Sequence, residues 1–196
     1  MSGSESSPAT RGPSWRRELQ ALDLAVYAAI AASRTPTLDS AFSRLSRAAD
    51  HSKLWMGAAG LLAATGGRRG RYAAVSGLAS IALASSVVNL VLKPLGGRRR
   101  PDRALHRVPI ARRVYMPRST AFPSGHSAAA FAFAAGVADA LPAAGMPLYA
   151  AATLVAYSRV HTGVHYPADA IVGSVVGAAL APLSTAVLDR WRAAAG

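Results

Sequence analysis

Long uncharged stretches alternate along this chain with short stretches rich in arginine. Four of the uncharged stretches lie close to the ~20 residues that a helix needs to cross the hydrocarbon core of a bilayer. They cover residues 72–92, 119–138, 140–158 and 170–188. The pattern therefore predicts four transmembrane helices.

Two shorter apolar stretches cover residues 24–33 and 54–67. Each is short for a full span, so it either crosses the membrane with help from neighbouring helices or packs against the bundle. Between them, a helical repeat of apolar residues predicts an amphipathic helix near 37–50 that lies in the membrane interface. Its apolar positions are Leu38, Phe42, Leu45 and Ala49.

The composition separates this chain from soluble basic proteins. It is 52% hydrophobic, yet its formal net charge is +13. A nucleic-acid-binding domain would spread such charge over a soluble face and would not need several uncharged runs. We therefore expect an all-α, polytopic membrane helical bundle of about six transmembrane helices in the cell membrane, with no nucleic-acid partner. Residues 1–18 are predicted to be a disordered tail, and residues 19–190 the membrane domain.

Small residues dominate the apolar runs. Gly173 and Gly177 form a small-xxx-small pair, which lets helix backbones approach closely. The pattern predicts a compact bundle, although a GC-rich genome would also enrich alanine.

Three polar motifs, residues 93–101, 123–126 and 158–169, fall at the ends of the predicted spans. Pro94 disfavours helix at Lys93 and predicts that a span ends there, whereas Pro167 suits the first turn of the last helix. Between the second motif and the third the chain crosses the membrane twice. Span parity therefore predicts that all three motifs meet at one membrane face.

Two histidines in these motifs are candidates for catalysis. Asp169 follows His165 by four positions, close enough for its carboxylate to hold one ring nitrogen while the other attacks phosphorus. His126 is the candidate general acid, which would protonate a leaving alkoxide. Taken alone, the pair His165 and Asp169 would also be explained by a structural histidine that a nearby acid satisfies at a helix cap. The tetrapeptide that ends in His126 would also be explained by a capped helix start.

The remaining motif residues suit the binding of a phosphate. Ser124 is a natural N-cap and Gly125 lets the backbone approach a ligand, so free N–H groups would face an anion. Lys93, Arg100 and Arg159 would stabilise the charge on the equatorial oxygens of a phosphoryl-transfer transition state. We call these three cations the phosphate clamp. Arg99 is an alternative to Arg100, but the motif spacing and Pro101 favour Arg100.

The three motifs resemble those of the type-2 phosphatidic acid phosphatase family. That pattern is a lysine separated by six residues from Arg-Pro, then Pro-Ser-Gly-His, then Ser-Arg followed by a histidine and an aspartate at fixed distances. Every functional position is matched in this chain. The resemblance implies that His165 forms a phosphohistidine and Asp169 orients it, with no metal and no other cofactor.

The residues around the motifs, VLKPLGGRRRPD and YSRVHTGVHYPAD, look like those of small actinobacterial members of this family. Some of those members dephosphorylate a decaprenyl-phosphoryl phosphopentose. The resemblance therefore implies a lipid phosphate as substrate, without fixing which lipid.

The arginines outside the motif positions suggest contact with lipid headgroups. A basic segment beside a membrane attracts anionic lipids. We expect anionic lipids as partners of seven arginines near the first motif: Arg98, Arg99, Arg103, Arg107, Arg112, Arg113 and Arg118.

His161 is an additional histidine of the third motif, and we interpret it as structural or pocket-lining. Metal ligation by a cluster of histidines and an aspartate is an alternative use of this region, but the phosphate clamp would repel a dication. That cluster would comprise His126, His161, His165 and Asp169.

The sequence thus predicts an integral membrane lipid phosphatase that acts through a phosphohistidine. Two alternatives stay open: a phosphotransferase that uses the same intermediate, and a non-enzymatic membrane protein whose basic segment recruits anionic lipids. The side of the membrane that the site faces also stays open. The positive-inside rule predicts that the basic segment lies in the cytoplasm, whereas family precedent predicts that the site faces outward. The oligomeric state is not predicted.

Overall fold

The computed structural model describes residues 14–195, and this part of the chain contains helices and loops but no strand. The predicted all-α fold is confirmed. A long loop, residues 97–124, precedes the sixth helix and is called the basic loop. The α-helices are α1 (Ser14–Ala32), α2 (Pro36–Ala48), α3 (Lys53–Thr65), α4 (Gly67–Ser86), α5 (Lys93–Gly96), α6 (Gly125–Ala140), α7 (Pro142–His161) and α8 (Pro167–Ala195).

Several predicted boundaries are wrong. Residues 14–18 already belong to α1, so the predicted tail is too long at its C-terminal end, and its residues 1–13 lie outside the described part of the chain. α6 begins at Gly125 and has 16 residues, whereas a span was predicted from residue 119. Pro123 disfavours helix at the residue before it, and Ser124 caps the helix that follows, so residues 119–124 remain loop.

Length and apolar composition identify two helices among the described residues that can cross a membrane. They are the continuous helical rod Gly67–Gly96 and the helix Pro167–Ala194, whose apolar 18-residue stretches have mean hydropathies of 1.9 and 2.0. On these helices Leu90 is 76% exposed and Ile171 63% exposed. Large apolar side chains on an outer face are typical of contact with lipid. The count of six spans stays a prediction.

A π-helical segment over residues 87–92 joins α4 to α5 without a break. Pro94 has no N–H to donate to a carbonyl one turn back, and the wider π turn accommodates this loss. The N–H of Lys93 donates to the Val88 carbonyl, and Lys93 keeps helical backbone angles (φ −65°, ψ −42°). The predicted helix end at Lys93 is therefore wrong, because the helix continues to Gly96.

α6 lies at the centre of the bundle and packs against α4, α7 and α8. The contact with α8 is close: a Cβ at Gly177 would lie 2.1 Å from the Ala128 carbonyl oxygen, and one at Gly173 would lie 2.4 Å from the Ser124 carbonyl oxygen. The predicted close packing of this glycine pair is confirmed. It brings the start of α8, with the third motif, against the start of α6, with the second.

α2 forms where a helix was predicted, but the residues that it buries are polar. Asp39, Ser43 and Ser46 are buried, whereas Leu38 is 47% exposed. Asp39 Oδ1 accepts a hydrogen bond from Arg112 Nε of the basic loop at 2.7 Å. α2 therefore anchors the basic loop, and its position in a membrane interface stays a prediction.

Candidate active site

Contacts between side chains and backbone bring the three motifs together at one end of the bundle. Arg100 Nη1 lies 3.2 Å from His165 Nε2, which joins the first motif to the third. The N–H of Ser124 donates to the Asp169 carbonyl oxygen at 2.9 Å, which joins the second motif to the third. The predicted meeting of the motifs is confirmed.

His165 is buried, with only 2% of its side chain exposed. A guanidinium offers only donors, so the contact with Arg100 requires Nε2 to accept. The ring proton then belongs on Nδ1, which lies 3.6 Å from Asp169 Oδ2. Burial, helped by the charges of Arg100 and Arg159, lowers the pKa of His165 to about 4 although Asp169 opposes the shift. His165 is therefore neutral at physiological pH, with a lone pair on Nε2.

Asp169 is fully buried and is held from two sides. Its Oδ1 accepts a hydrogen bond from Arg98 Nη1 at 2.9 Å, and its Oδ2 accepts one from the Tyr166 backbone N–H at 2.9 Å. Arg98 also forms an ion pair with Asp23 of α1. These contacts fix the carboxylate beside the His165 ring.

His126 is the second residue of α6, and its side chain is 22% exposed. Its Nε2 lies 2.9 Å from Asp50 Oδ1. Asp50 comes from the turn between α2 and α3, where His51 (φ 55°) and Ser52 (φ 58°) both adopt left-handed backbone angles. Such angles are uncommon for residues other than glycine. The turn carries Asp50 to His126, so each candidate catalytic histidine has a carboxylate neighbour.

Arg159 of the phosphate clamp is buried in α7. Its Nη1 donates to Ser46 Oγ at 2.5 Å and lies 3.6 Å from Asp50 Oδ1. Its Nε has no hydrogen-bond partner among the described residues. A buried guanidinium N–H without a partner is costly, and a bound phosphate oxygen would satisfy it.

Lys93 and Arg100 complete the phosphate clamp. Lys93 Nζ donates to Asn89 Oδ1 at 2.9 Å, and Arg100 Nε donates to the Ser119 carbonyl at 2.9 Å. Within residues 14–195, neither cation forms an ion pair with a carboxylate. Both charges are thus available to an anion.

The start of α6 supplies backbone N–H groups next to this charge. Ser124 Oγ accepts from the Ser127 N–H at 3.3 Å, which confirms the predicted N-cap. A Cβ at Gly125 would lie 3.7 Å from Lys93 Nζ. A cavity of about 180 Å³ is lined by Lys93, Gly125 and His126 among other residues. An anion can therefore meet the lysine and the helix N-terminus together.

The basic loop differs from its prediction, because three of its arginines bind inside the protein. Arg98 contacts two carboxylates, Arg103 Nε donates to the Gly163 carbonyl at 3.1 Å, and Arg112 is fully buried. Their assignment to lipid headgroups is wrong, since each finds internal acceptors. Headgroup binding stays a prediction for the exposed members: Arg99, Arg107, Arg113 and Arg118.

His161 lies apart from the two catalytic candidates. Its Nε2 is 3.1 Å from Asp39 Oδ1, and its ring packs against Phe42. This supports the structural interpretation of His161. In the described part of the chain, no three His, Asp or Glu side chains form a group that could hold a metal ion, so the alternative of metal ligation finds no support in the geometry.

Three residues of the site were not predicted from the sequence: Asp23, Asp50 and Arg98. Asp23 carried a usable signal, because an acid next to an apolar stretch is rare and often functional. Asp50 and Arg98 did not stand out, since Asp50 ends the predicted amphipathic helix and Arg98 is the first of three consecutive arginines. Only the fold brings them to the histidines.

Comparisons with known proteins identify the family of this chain. The family model of the PAP2 superfamily matches residues 73–193. A decaprenylphosphoryl-5-phosphoribose phosphatase of Mycobacterium tuberculosis is 34% identical over 145 residues, which cover 73% of this chain and 76% of the relative.

Two solved structures share the fold. Aquifex aeolicus LpxE has a TM-score of 0.68 at 26% identity, covering 84% of this chain and 94% of its own. A transmembrane PAP2-type phosphatidylglycerolphosphate phosphatase from Bacillus subtilis has a TM-score of 0.67 at 24% identity, covering 88% and 87%. The second likeness shows the fold alone.

The fold and the site define an all-helical, membrane-associated phosphatase. The chain belongs to the PAP2 superfamily.

Proposed function

We propose that this chain is a multi-pass membrane enzyme that hydrolyses the terminal phosphomonoester or pyrophosphate of a lipid through a phosphohistidine on His165. The observation that carries the proposal is the pair Lys93 and Arg100. Both cations lie beside the histidines without a carboxylate of their own in the described part of the chain. Fixed cations of this kind stabilise the charge of a phosphoryl-transfer transition state without reorganisation.

In the first step, the lone pair of His165 Nε2 attacks phosphorus. The bond from phosphorus to the lipid oxygen breaks, and His126 donates a proton to that oxygen as the lipid alcohol leaves. Arg100, whose Nη1 lies 3.2 Å from Nε2 in the free enzyme, moves its hydrogen bond to a phosphate oxygen. Nucleophile and clamp thus engage the phosphate together.

In the second step, a water molecule attacks the phosphohistidine. His126, now deprotonated, takes a proton from that water, the P–N bond breaks and inorganic phosphate leaves. His165 regains its lone pair and His126 its proton, so the cycle closes with water as the only other reactant and without a redox step.

Asp169 orients the His165 ring throughout. The 3.6 Å separation between Nδ1 and Oδ2 is long for a hydrogen bond. Catalytic hydrogen bonds often tighten only when substrate binds. A developing positive charge on the phosphorylated ring would draw Nδ1–H to the carboxylate.

The relative from Mycobacterium tuberculosis makes a polyprenyl-linked phosphosugar one candidate substrate. The lipid tail would leave the site along the apolar outer faces of the helices, while the phosphate stays at the clamp. Six helices (α1, α3, α4, α6, α7 and α8) would span the bilayer, with α4 and α5 together forming one of these spans.

A substrate panel on the purified protein tests the proposal. It should contain phosphatidate, phosphatidylglycerol phosphate, a polyprenyl pyrophosphate and a polyprenyl-phosphoryl phosphopentose, with inorganic phosphate and lipid product both quantified. We expect equal amounts of phosphate and dephosphorylated lipid from at least one substrate. Transfer of phosphate to an added acceptor without release would favour a phosphotransferase, and no turnover with any substrate would contradict the proposal.

A further inference from the structure

Arg98 bridges two buried carboxylates at the back of the site. Its Nη1 donates to Asp169 Oδ1 at 2.9 Å, and its Nη2 donates to Asp23 Oδ2. The guanidinium also stacks on the Tyr166 ring, 4.1 Å from the ring centroid. Three contacts thus hold this side chain in one orientation, as suits the planar arginine fork.

Asp23 ties this bridge to the start of α8. Its Oδ1 accepts a hydrogen bond from the Ala168 N–H at 2.8 Å, and its side chain is 8% exposed. α1 lies outside all three motifs, and through Asp23 it contacts Ala168, the residue before Asp169. A buried acid in this position needs a partner, because an unpaired buried charge is strongly destabilising.

The bridge has an electrostatic consequence for the catalytic pair. Asp169 Oδ2 lies 3.6 Å from His165 Nδ1, and Asp23 lies on the other arm of Arg98, so this cation stands between two acids beside the catalytic pair. Without Arg98, the two carboxylates would face each other, and the group that they form with His165 would hold a proton more tightly. That proton would occupy the nucleophile or one of the carboxylates.

We propose that Arg98 is a positioning residue for the reaction: it holds Asp169 beside His165 and keeps the catalytic pair free of an extra proton, with Asp23 holding Arg98 in turn. The inference rests on the proposed function of His165 as nucleophile. It assigns a role to Arg98, which lies within the first motif but is not one of the family's functional positions.

Other charges surround the catalytic pair and enter its titration. These groups come from the loops and from α1, α6 and α7, and each lies near His165, Asp169 or a neighbour of this pair. They are Asp23, Arg98, Arg100, His126, Arg159 and Tyr166. Among these groups, Arg98 alone contacts both Asp23 and Asp169. Replacing it therefore changes the charge of the bridge and leaves the phosphate clamp intact.

The inference is tested by following phosphoenzyme formation in single turnover from pH 4 to 8 for the full-length protein in detergent. Arg98→Gln should move the acid limb of the pH profile upward by about one unit, since a charge at this range shifts a pKa by 1–3 units. Its plateau rate should fall about 10-fold or more, as for other groups that orient a catalytic side chain. Arg98→Lys should keep the acid limb near its wild-type position while losing part of the plateau rate.

Two further variants separate positioning from folding. Asp23→Asn removes negative charge and should leave the acid limb unchanged or lower, opposite to Arg98→Gln. Arg190→Gln is the control, because it makes the same charge change at an exposed arginine near the C-terminal end of α8, away from the site. It should keep the wild-type profile. If Arg98→Gln does not fold, the acid limbs of Arg98→Lys and Asp23→Asn provide the test. A limb that either variant raises by about one unit would contradict the proposal, an expectation set by the size of such charge effects.

The outcomes are distinguishable. If wild type and Arg190→Gln form a phosphoenzyme and Arg98→Gln keeps the wild-type acid limb, the role of Arg98 is overturned and the proposed function stands. An acid limb that Arg98→Lys moves as far as Arg98→Gln, or that Asp23→Asn raises, would also overturn it. Absence of a phosphoenzyme in wild type would overturn the proposed function and this inference together.

Discussion

The two candidate catalytic histidines, His165 and His126, each have a carboxylate neighbour, but their surroundings differ. His165 and Asp169 are 2% and 0% exposed, and they lie four residues apart at the start of α8. His126 and Asp50 are 22% and 30% exposed, and they come from α6 and from the turn before α3. We call His165 and Asp169 the closed pair, because they are buried and close in sequence. His126 and Asp50 are the open pair, because they are partly exposed and distant in sequence.

The difference matches two chemical tasks. A nucleophile has to keep a lone pair, and burial favours the neutral imidazole because it penalises charge. A general acid and base has to exchange its proton with water in every cycle, and a partly exposed ring can do so. The side chain of His126 is thus the more accessible of the two to water, as its proposed role in proton transfer requires.

The largest expected effect comes from the closed pair. His165→Ala removes the nucleophile, so turnover should fall to background, by about 10⁴-fold or more. Phosphate release by the purified variant measures this effect, and His161→Ala provides a control for loss of a buried histidine. Substantial turnover by His165→Ala would mean that phosphate is attacked by another group.

The open pair should respond in a way that depends on the leaving group. His126→Ala removes the general acid, which typically contributes 10²–10⁴-fold. The loss should be large on a lipid alkyl phosphate and smaller on p-nitrophenyl phosphate, because p-nitrophenolate leaves without a proton. The comparison requires that chemistry limits both rates. Equal fractional losses would identify His126 as a phosphate-binding or structural residue.

Asp50→Asn should produce a weaker form of the same pattern. It leaves His126 in place but weakens the contact that holds its ring at 2.9 Å, so we expect a loss of about 10-fold on the alkyl phosphate. Asp139→Asn, at the exposed far end of α6, is the matched control. Asp50 also lies 3.6 Å from Arg159, and equal losses on both substrates would show that it serves the clamp instead of the acid.

Chelation should have the smallest effect. The phosphate clamp and the start of α6 supply the positive charge that a metal ion would bring, so EDTA should change the rate less than 2-fold, an expectation that follows from charge stabilisation by fixed groups. Orthovanadate should inhibit, because it adopts the geometry of the transition state. Loss of phosphate release in EDTA, with recovery on addition of a divalent cation, would contradict this mechanism.

Much of the fold and the site could be predicted from the sequence. Uncharged runs indicated most of the helices and short motifs indicated the candidate site residues, because both signals lie in local sequence patterns. Span parity then indicated that the motifs meet. Helix ends were less certain: Pro94 normally ends a helix, yet the π turn before it carries α4 into α5. That accommodation depends on packing and leaves no mark in the sequence.

The partners of the site residues could not be predicted. Arg98 looked like one more headgroup arginine, and its contacts with Asp23 and Asp169 span 75 and 71 residues of sequence. Asp50 is 76 residues from His126. Contacts between residues so far apart in sequence decide which charged side chains find partners inside the protein and which stay exposed.

The central claim is that His165 carries the phosphoryl group, and trapping the intermediate tests it most directly. Wild-type protein is mixed briefly with a lipid substrate labelled in its terminal phosphate, quenched in alkali to preserve phosphohistidine, and digested for mass spectrometry. We predict an acid-labile phosphate on His165, absent from His165→Ala and retained longer by His126→Ala, in which hydrolysis is slowed. A phosphate on any other residue, or the same phosphoenzyme in His165→Ala, would contradict the account.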